Sequence, residues 1–131
     1  MAENKTSLSV GEIVRGILVG DEAVKAITER VFPVLTQTKA ELPYLVYQRT
    51  NLSARSVKEH RSSDEVEMEI MCFAERYEDS VKLAEAVREA LDGCQAECGK
   101  LFMSKCILTG ASESYAADAY IQCLIFNIKL Q

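Results

Sequence analysis

This sequence has no tryptophan, only one histidine (His60), two prolines and six glycines. A single imidazole makes a histidine-based metal centre implausible and leaves a Ser-His-Asp arrangement one candidate base. The glycines stand at 11, 16, 20, 93, 99 and 110. None of them builds G-x-G-x-x-G or a G-K-[ST] phosphate cradle, which excludes nucleotide binding by those routes. The first ten residues, MAENKTSLSV, lack a basic segment followed by an apolar one, so they do not read as a signal peptide. Long hydrophobic runs are also missing, and none approaches the roughly 20 residues of a spanning helix. The expectation is a soluble protein made in a cytoplasm, with no membrane partner.

What is present is ordinary for one globular domain: 131 residues, 48% hydrophobic and 27% charged, with a formal net charge of −5. That acidic balance argues against a general affinity for nucleic acid. Five cysteines (72, 94, 98, 106 and 123) fit reduced thiols better than a disulfide framework. Cys94 and Cys98 form a lone C-x-x-x-C without the two further ligands a zinc site needs. No metal and no cofactor are implied, and this stretch is given no role.

Helix signals open the chain. Ser9 with Glu12 matches a capping box ahead of Val10, Ile13, Val14, Ile17 and Leu18, which recur at helical spacing. Gly20 stops this helix and Asp21 caps a second, about 22–29, with Ala23, Val24 and Ile27 inward. Pro33 and Pro43 bracket a connection that cannot be a central strand. Tyr44 to Thr50 then reads as a strand. Asp64 to Phe73 alternates, with Val66, Met68, Ile70 and Cys72 on one side and Glu65, Glu67 and Glu69 on the other. Met71 and Phe73 continue the outward side, so something must cover that end. Tyr77 to Asp92 is a helix stepping through Tyr77, Val81, Ala84, Val87 and Leu91, with Glu78 and Asp79 in its first turn and Gly93 as its stop. Strands at about 101–109 and 119–130 finish the chain, the last one apolar on both faces in its first half. The order α-α-β-β-α-β-β predicts an α+β domain spanning 1–131, with helices packed on one face of a four-stranded antiparallel sheet.

Between two of the strands lies NLSARSVKEHRSSDE, whose polar centre at about 51–63 predicts a mobile loop. Arg55, Lys58, His60 and Arg61 are its positive or titratable groups. They are interleaved with acids and accompanied by no aromatic that would stack on a base. A nucleic-acid-binding protein acting through this loop is the alternative reading, and salt-dependent binding to duplex DNA would mark it. A hydrolase or transferase would need His60 held against a nucleophile, whereas a solvated surface histidine suits its surroundings better. The glutamates 65, 67 and 69 form a straight row, which rarely wraps a cation and is more simply a solvent-facing strand surface. An assembly loop ordered by a partner fits Asn51–Ser63 best.

Several stretches together resemble a known family: R-V-F-P at 30–33, L-P-Y-L-V-Y-Q at 42–48, the alternating strand into F-A-E-R-Y, L-A-E-A-V-R-E-A-L-D-G at 83–93, and the closing Y-I-Q-C-L-I-F-N-I. They are similar to the tail-completion proteins of long-tailed phages and prophages, the tail terminators or tail-to-head joining proteins. The resemblance covers nearly the whole chain and rests on structural rather than catalytic motifs. It implies a non-enzymatic structural protein that works in the host-cell cytoplasm during assembly and then in the virion tail. It further implies a ring of six copies at the head-proximal end of the tail tube. Such a ring would end tube polymerisation, contact the tail tube protein and a head connector or stopper, and let DNA pass through its lumen. In that picture Met71, Phe73, Ile121 and Ile125 are candidate subunit contacts. Glu65, Glu67 and Glu69 become candidates to face the lumen and repel phosphate.

Overall fold

The computed structural model describes residues 6–34, 40–54, 64–99 and 101–130. Helix α1 (Val10–Gly20) follows a single 3-10 turn at Ser7–Ser9. That turn displaces the expected capping box. Thr6 accepts the N–H of Leu8 at 3.3 Å, while Ser9 makes no side-chain capping bond. Val10, Ile13, Val14 and Leu18 are buried, as their spacing requires. Helix α2 (Glu22–Ile27) begins on Asp21, whose Oδ2 accepts the Val24 N–H at 3.1 Å. This helix is shorter than expected and turns only Val24 fully inward, leaving Ala23 exposed.

The sheet corrects the expected architecture. Among the described residues it has six strands in the order β1-β2-β3-β6-β5-β4, and it is mixed rather than purely antiparallel. The four expected strands form its middle: β2 (Tyr44–Ser53), β3 (Asp64–Ala74), β5 (Leu101–Ala116) and β6 (Ala119–Leu130). Two three-residue strands add an edge each. β1 (Val31–Pro33) pairs parallel to β2, and β4 (Ala96–Cys98) pairs antiparallel to β5. Pro33 fits β1 because an edge strand has a side on which no N–H is needed. The sheet curls into a half-barrel around the helices, and α1 touches both β1 and β2 near one edge and β4 and β5 near the other. Where α1 crosses β2, Gly11 lies against the Tyr47 ring. A Cβ there would sit 3.1 Å from Tyr47 Cε2, so an alanine would need that ring to give by a few tenths of an ångström.

Helix α3 (Tyr77–Leu91) lies over the middle of the sheet. Its buried stripe is Ser80, Leu83, Ala84, Ala86, Val87 and Leu91, rotated from the expected one, so Tyr77 is 44% exposed. The core therefore sits between α1, α3 and the concave face of the sheet. Phe126, Met68, Ile70, Met103, Ile128 and Leu130 are among its fully buried side chains.

Candidate functional site

Strand pairing decides which outward side chains become neighbours. Residues opposite one another in an antiparallel ladder project to the same side, so each cross-strand row can be read from the register. On the convex face, away from the helices, β2, β3, β6 and β5 contribute five rows. These are Tyr44–Phe73–Ile121–Ser114, Val46–Met71–Cys123–Ser112, Gln48–Glu69–Ile125–Gly110, Asn51–Glu67–Asn127–Ile107 and Ser53–Glu65–Lys129–Lys105. The face is thus graded. It is aromatic and aliphatic at one end, mixed in the middle, and charged at the other.

The apolar end is continuous. Tyr44 and Phe73 stack with centroids 4.6 Å apart, and Phe32 of β1 meets Tyr44 edge-on at 6.0 Å. Val46 is buried between strands, while Tyr44, Met71, Phe73, Ile121, Cys123 and Ile125 keep part of their surface in solvent. The sequence-predicted contacts Met71, Phe73, Ile121 and Ile125 are therefore brought together on one surface. Phe32 and Tyr44 belong with them and were missed. Their signal was present in Arg30–Pro33 and Tyr44–Gln48, but only the pairing shows which side each residue takes.

The glutamate row lies on the same face, and none of its members stands alone. Glu65 is 3.8 Å from Lys129 Nζ, and Lys105 is the next residue in that row. Glu67 accepts the Thr50 hydroxyl at 3.1 Å. Glu69 lies beside Cys123; burial, followed by the Glu69 carboxylate, pushes that thiol above its usual range. The charged end is therefore a mixture of acids and lysines rather than a strip of one sign.

A second polar cluster ties the β5–β6 ribbon to the start of α3. The Tyr77 hydroxyl and the Gln122 amide both donate to Glu113 Oε2 at 2.9 Å, and Gln122 also donates to Ser80 Oγ at 3.3 Å. The Gln122 amide, then the Tyr77 hydroxyl, hold the Glu113 carboxyl below its ordinary range; the same bond raises the Tyr77 phenol. Tyr120 packs edge-on between Tyr77 and Tyr115, at 5.9 and 4.8 Å. Beyond this point the ribbon ends in a two-residue turn with Ala117 and Asp118 in the left-handed region, as tight hairpins require.

The basic loop residues Arg55, Lys58, His60 and Arg61 lie outside the described residues. Asn51, Leu52 and Ser53, read as the start of that loop, instead continue β2 past an irregularity at Thr50. Among the described residues no group of three or more His, Cys, Asp or Glu is placed to hold a metal ion. A depression of about 160 Å³, lined by Ile27, Leu42, Pro43, Ala74, Glu75, Asp79 and Lys82, is smaller than most ligand pockets and brings no acid–base pair to a reacting atom. No described helix is long and apolar enough to cross a membrane.

The open sheet face grades from apolar to charged and encloses no reaction centre among the described residues. Comparison with known proteins supplies the family. The model of the family described as "Tail completion protein gp17" matches residues 12–125, and the chain belongs to that family. It is thus a structural component of a phage tail. No curated protein matches it significantly in sequence. A solved chain from the "Virion of native gene transfer agent (GTA) particle" shares the fold. Its TM-score is 0.78 at 16% identity, covering 89% of this chain and 90% of that one.

Proposed function

We propose that this protein assembles into a ring of six at the head-proximal end of the tail tube, ends tube growth there and joins tail to head. The observation that carries the proposal is the half-exposed apolar end of the convex face: Tyr44, Met71, Phe73, Ile121 and Ile125 in adjoining rows. In the ring a neighbouring subunit covers that end, while the end carrying Glu65 and Glu67 stays open. Covering half of the face answers the apolar surface without burying the charges, whose desolvation would cost several kcal/mol each. The open end faces the lumen, where Glu65 and Glu67 discourage phosphates from sticking as DNA passes, and Glu69, in the row of Ile125, marks the border of the covered end. The segment that follows β2 reaches the tube or the next subunit through Arg55, Lys58, His60 and Arg61.

Light scattering across a concentration series, with negative-stain images of the same samples, tests the ring. Closed rings with an open centre support it. A monomer at every concentration, and also in the presence of tail tubes, overturns it. Strong salt-dependent binding of that monomer to duplex DNA would favour a nucleic-acid-binding role for the basic segment.

A further inference from the structure

The C-x-x-x-C stretch left without a role acquires one from its place beside β5. The chain leaves α3 through Gly93, whose φ of 82° turns it so that its N–H donates to the Cys106 carbonyl at 2.7 Å. Cys94 follows directly. Cys94 lies two residues before Ala96, which stands opposite Met103; β5 carries one extra residue between Met103 and Lys105, so Cys94 comes alongside Cys106, and both pack against the same core. There the two thiols interact directly, Cys94 pushed below and Cys106 above the usual range. The two differ in access: Cys106 is fully buried, whereas Cys94 keeps part of its surface in solvent.

Other pairings are poorer. Cys72 and Cys123 lie on adjacent strands but take opposite faces, because Cys123 stands opposite Met71. Cys98 pairs with Leu101 at the far end of β4, roughly 13 Å along the strand from Cys94.

We propose that Cys94 and Cys106 form a disulfide when the protein meets a peroxide, a modification site that staples the end of α3 to β5. Cys94 reacts first. The interaction with Cys106 holds its thiol below the usual range against the effect of burial, and the thiolate is the reactive form. Its sulfur attacks one oxygen of hydrogen peroxide, an S–O bond forms, the O–O bond breaks, and the departing hydroxide takes up a proton as water. The Cys106 sulfur then attacks the Cys94 sulfenic sulfur. The S–S bond forms as the S–O bond breaks, and the leaving hydroxide takes the Cys106 proton as a second water. Two thiols lose two electrons and one peroxide becomes two waters. Cys106 is held well above the usual range by its interaction with Cys94 and by burial, so this second step is the slower one.

The pair does not depend on ring assembly, and a monomer oxidises in the same way. Its timing in a particle does rest on the tail reading: the thiols stay reduced inside the host cell and close after release.

The test treats the purified full chain with hydrogen peroxide, blocks remaining thiols with iodoacetamide in denaturant, and maps the unreduced digest by mass spectrometry. The expected result is a single link joining the Cys94 and Cys106 peptides, with Cys72, Cys98 and Cys123 alkylated. The thermal midpoint should rise by roughly 5–10 °C, reversibly with dithiothreitol. Cys94→Ser, at a partly exposed site, should fold normally and lose both the link and the rise. Full alkylation of Cys94 and Cys106 after peroxide overturns the proposal. So does a Cys94–Cys98 link, or sulfinic acid at Cys94 with Cys106 still a thiol.

Discussion

The two sides of β3 are made from one alternating run yet behave differently. Toward the helices, Val66, Met68, Ile70 and Cys72 are each 1% exposed or less. Away from them, Glu65, Glu67, Glu69, Met71 and Phe73 all keep contact with solvent. The inner side is uniform along its length because its task, excluding water, is the same at every position. The outer side changes from charged to aromatic over the same residues, which water exclusion does not require. In the ring proposed above, that variation marks where a neighbouring subunit would sit.

The largest expected effect tests the inner side. Phe126→Ala empties a fully buried site between Met68 and Leu108 and should lower unfolding stability by about 3–5 kcal/mol, read from urea titrations. Next comes Ile121→Asp on the outer side. It should leave monomer stability within about 1 kcal/mol of the parent and abolish rings in light scattering. If it unfolds the protein instead, the distinction between the two sides is lost. Phe73→Ala, which removes the stack on Tyr44, should fall between them, costing about 1–2 kcal/mol and weakening assembly. Charge reversal at Glu65 and Glu67 should change stability by less than about 1 kcal/mol and leave rings intact while slowing DNA ejection; unchanged ejection removes these residues from the lumen.

The smallest effect belongs to the exposed Tyr77–Glu113–Gln122 cluster. Glu113 is lowered from 4.5, so its stabilisation is present above that value and fades as pH falls through the lower value of the folded protein. Tyr77 is raised from 10.0, so its share is present below pH 10 and is lost as pH rises through the higher folded value. The stability gap between the parent and Glu113→Gln should narrow at both extremes; a gap independent of pH would mean that the bonds do not persist in solution.

Long periodic elements were legible in the sequence and short or polar ones were not. The α1 stripe and the alternation of β3 and β6 announce themselves because burial repeats over several turns or pleats. Three residues carry no period, so β1 and β4 passed unseen, and with them the width and mixed pairing of the sheet. β5 carries a strand pattern only to Thr109. From Ala111 to Ala116 it is exposed, and nothing buried imposes alternation there. The spacing of Tyr77 points it inward, but the stripe through Ser80 and Leu83 is the one that meets the sheet. Met71, Phe73, Ile121 and Ile125 stood out individually as apolar residues on outward positions. That they adjoin one another, and share a face with Glu65 and its lysine neighbours, is a property of register. A sequence without its pairing does not contain it.

The sheet order also sets when the protein can become whole. β2–β3 and β5–β6 are hairpins whose partners are close in the chain, so each can close early. The seam between β3 and β6 is different, since α3, β4 and β5 all lie between its two strands. Closing that long loop costs more chain entropy than closing either hairpin, and on the ribosome it must wait for β6 to be made. Until then Met68 and Ile70 lie on a strand with one open edge. A chain that stops before β6 has no middle, only two pieces of sheet with nothing between them to pair.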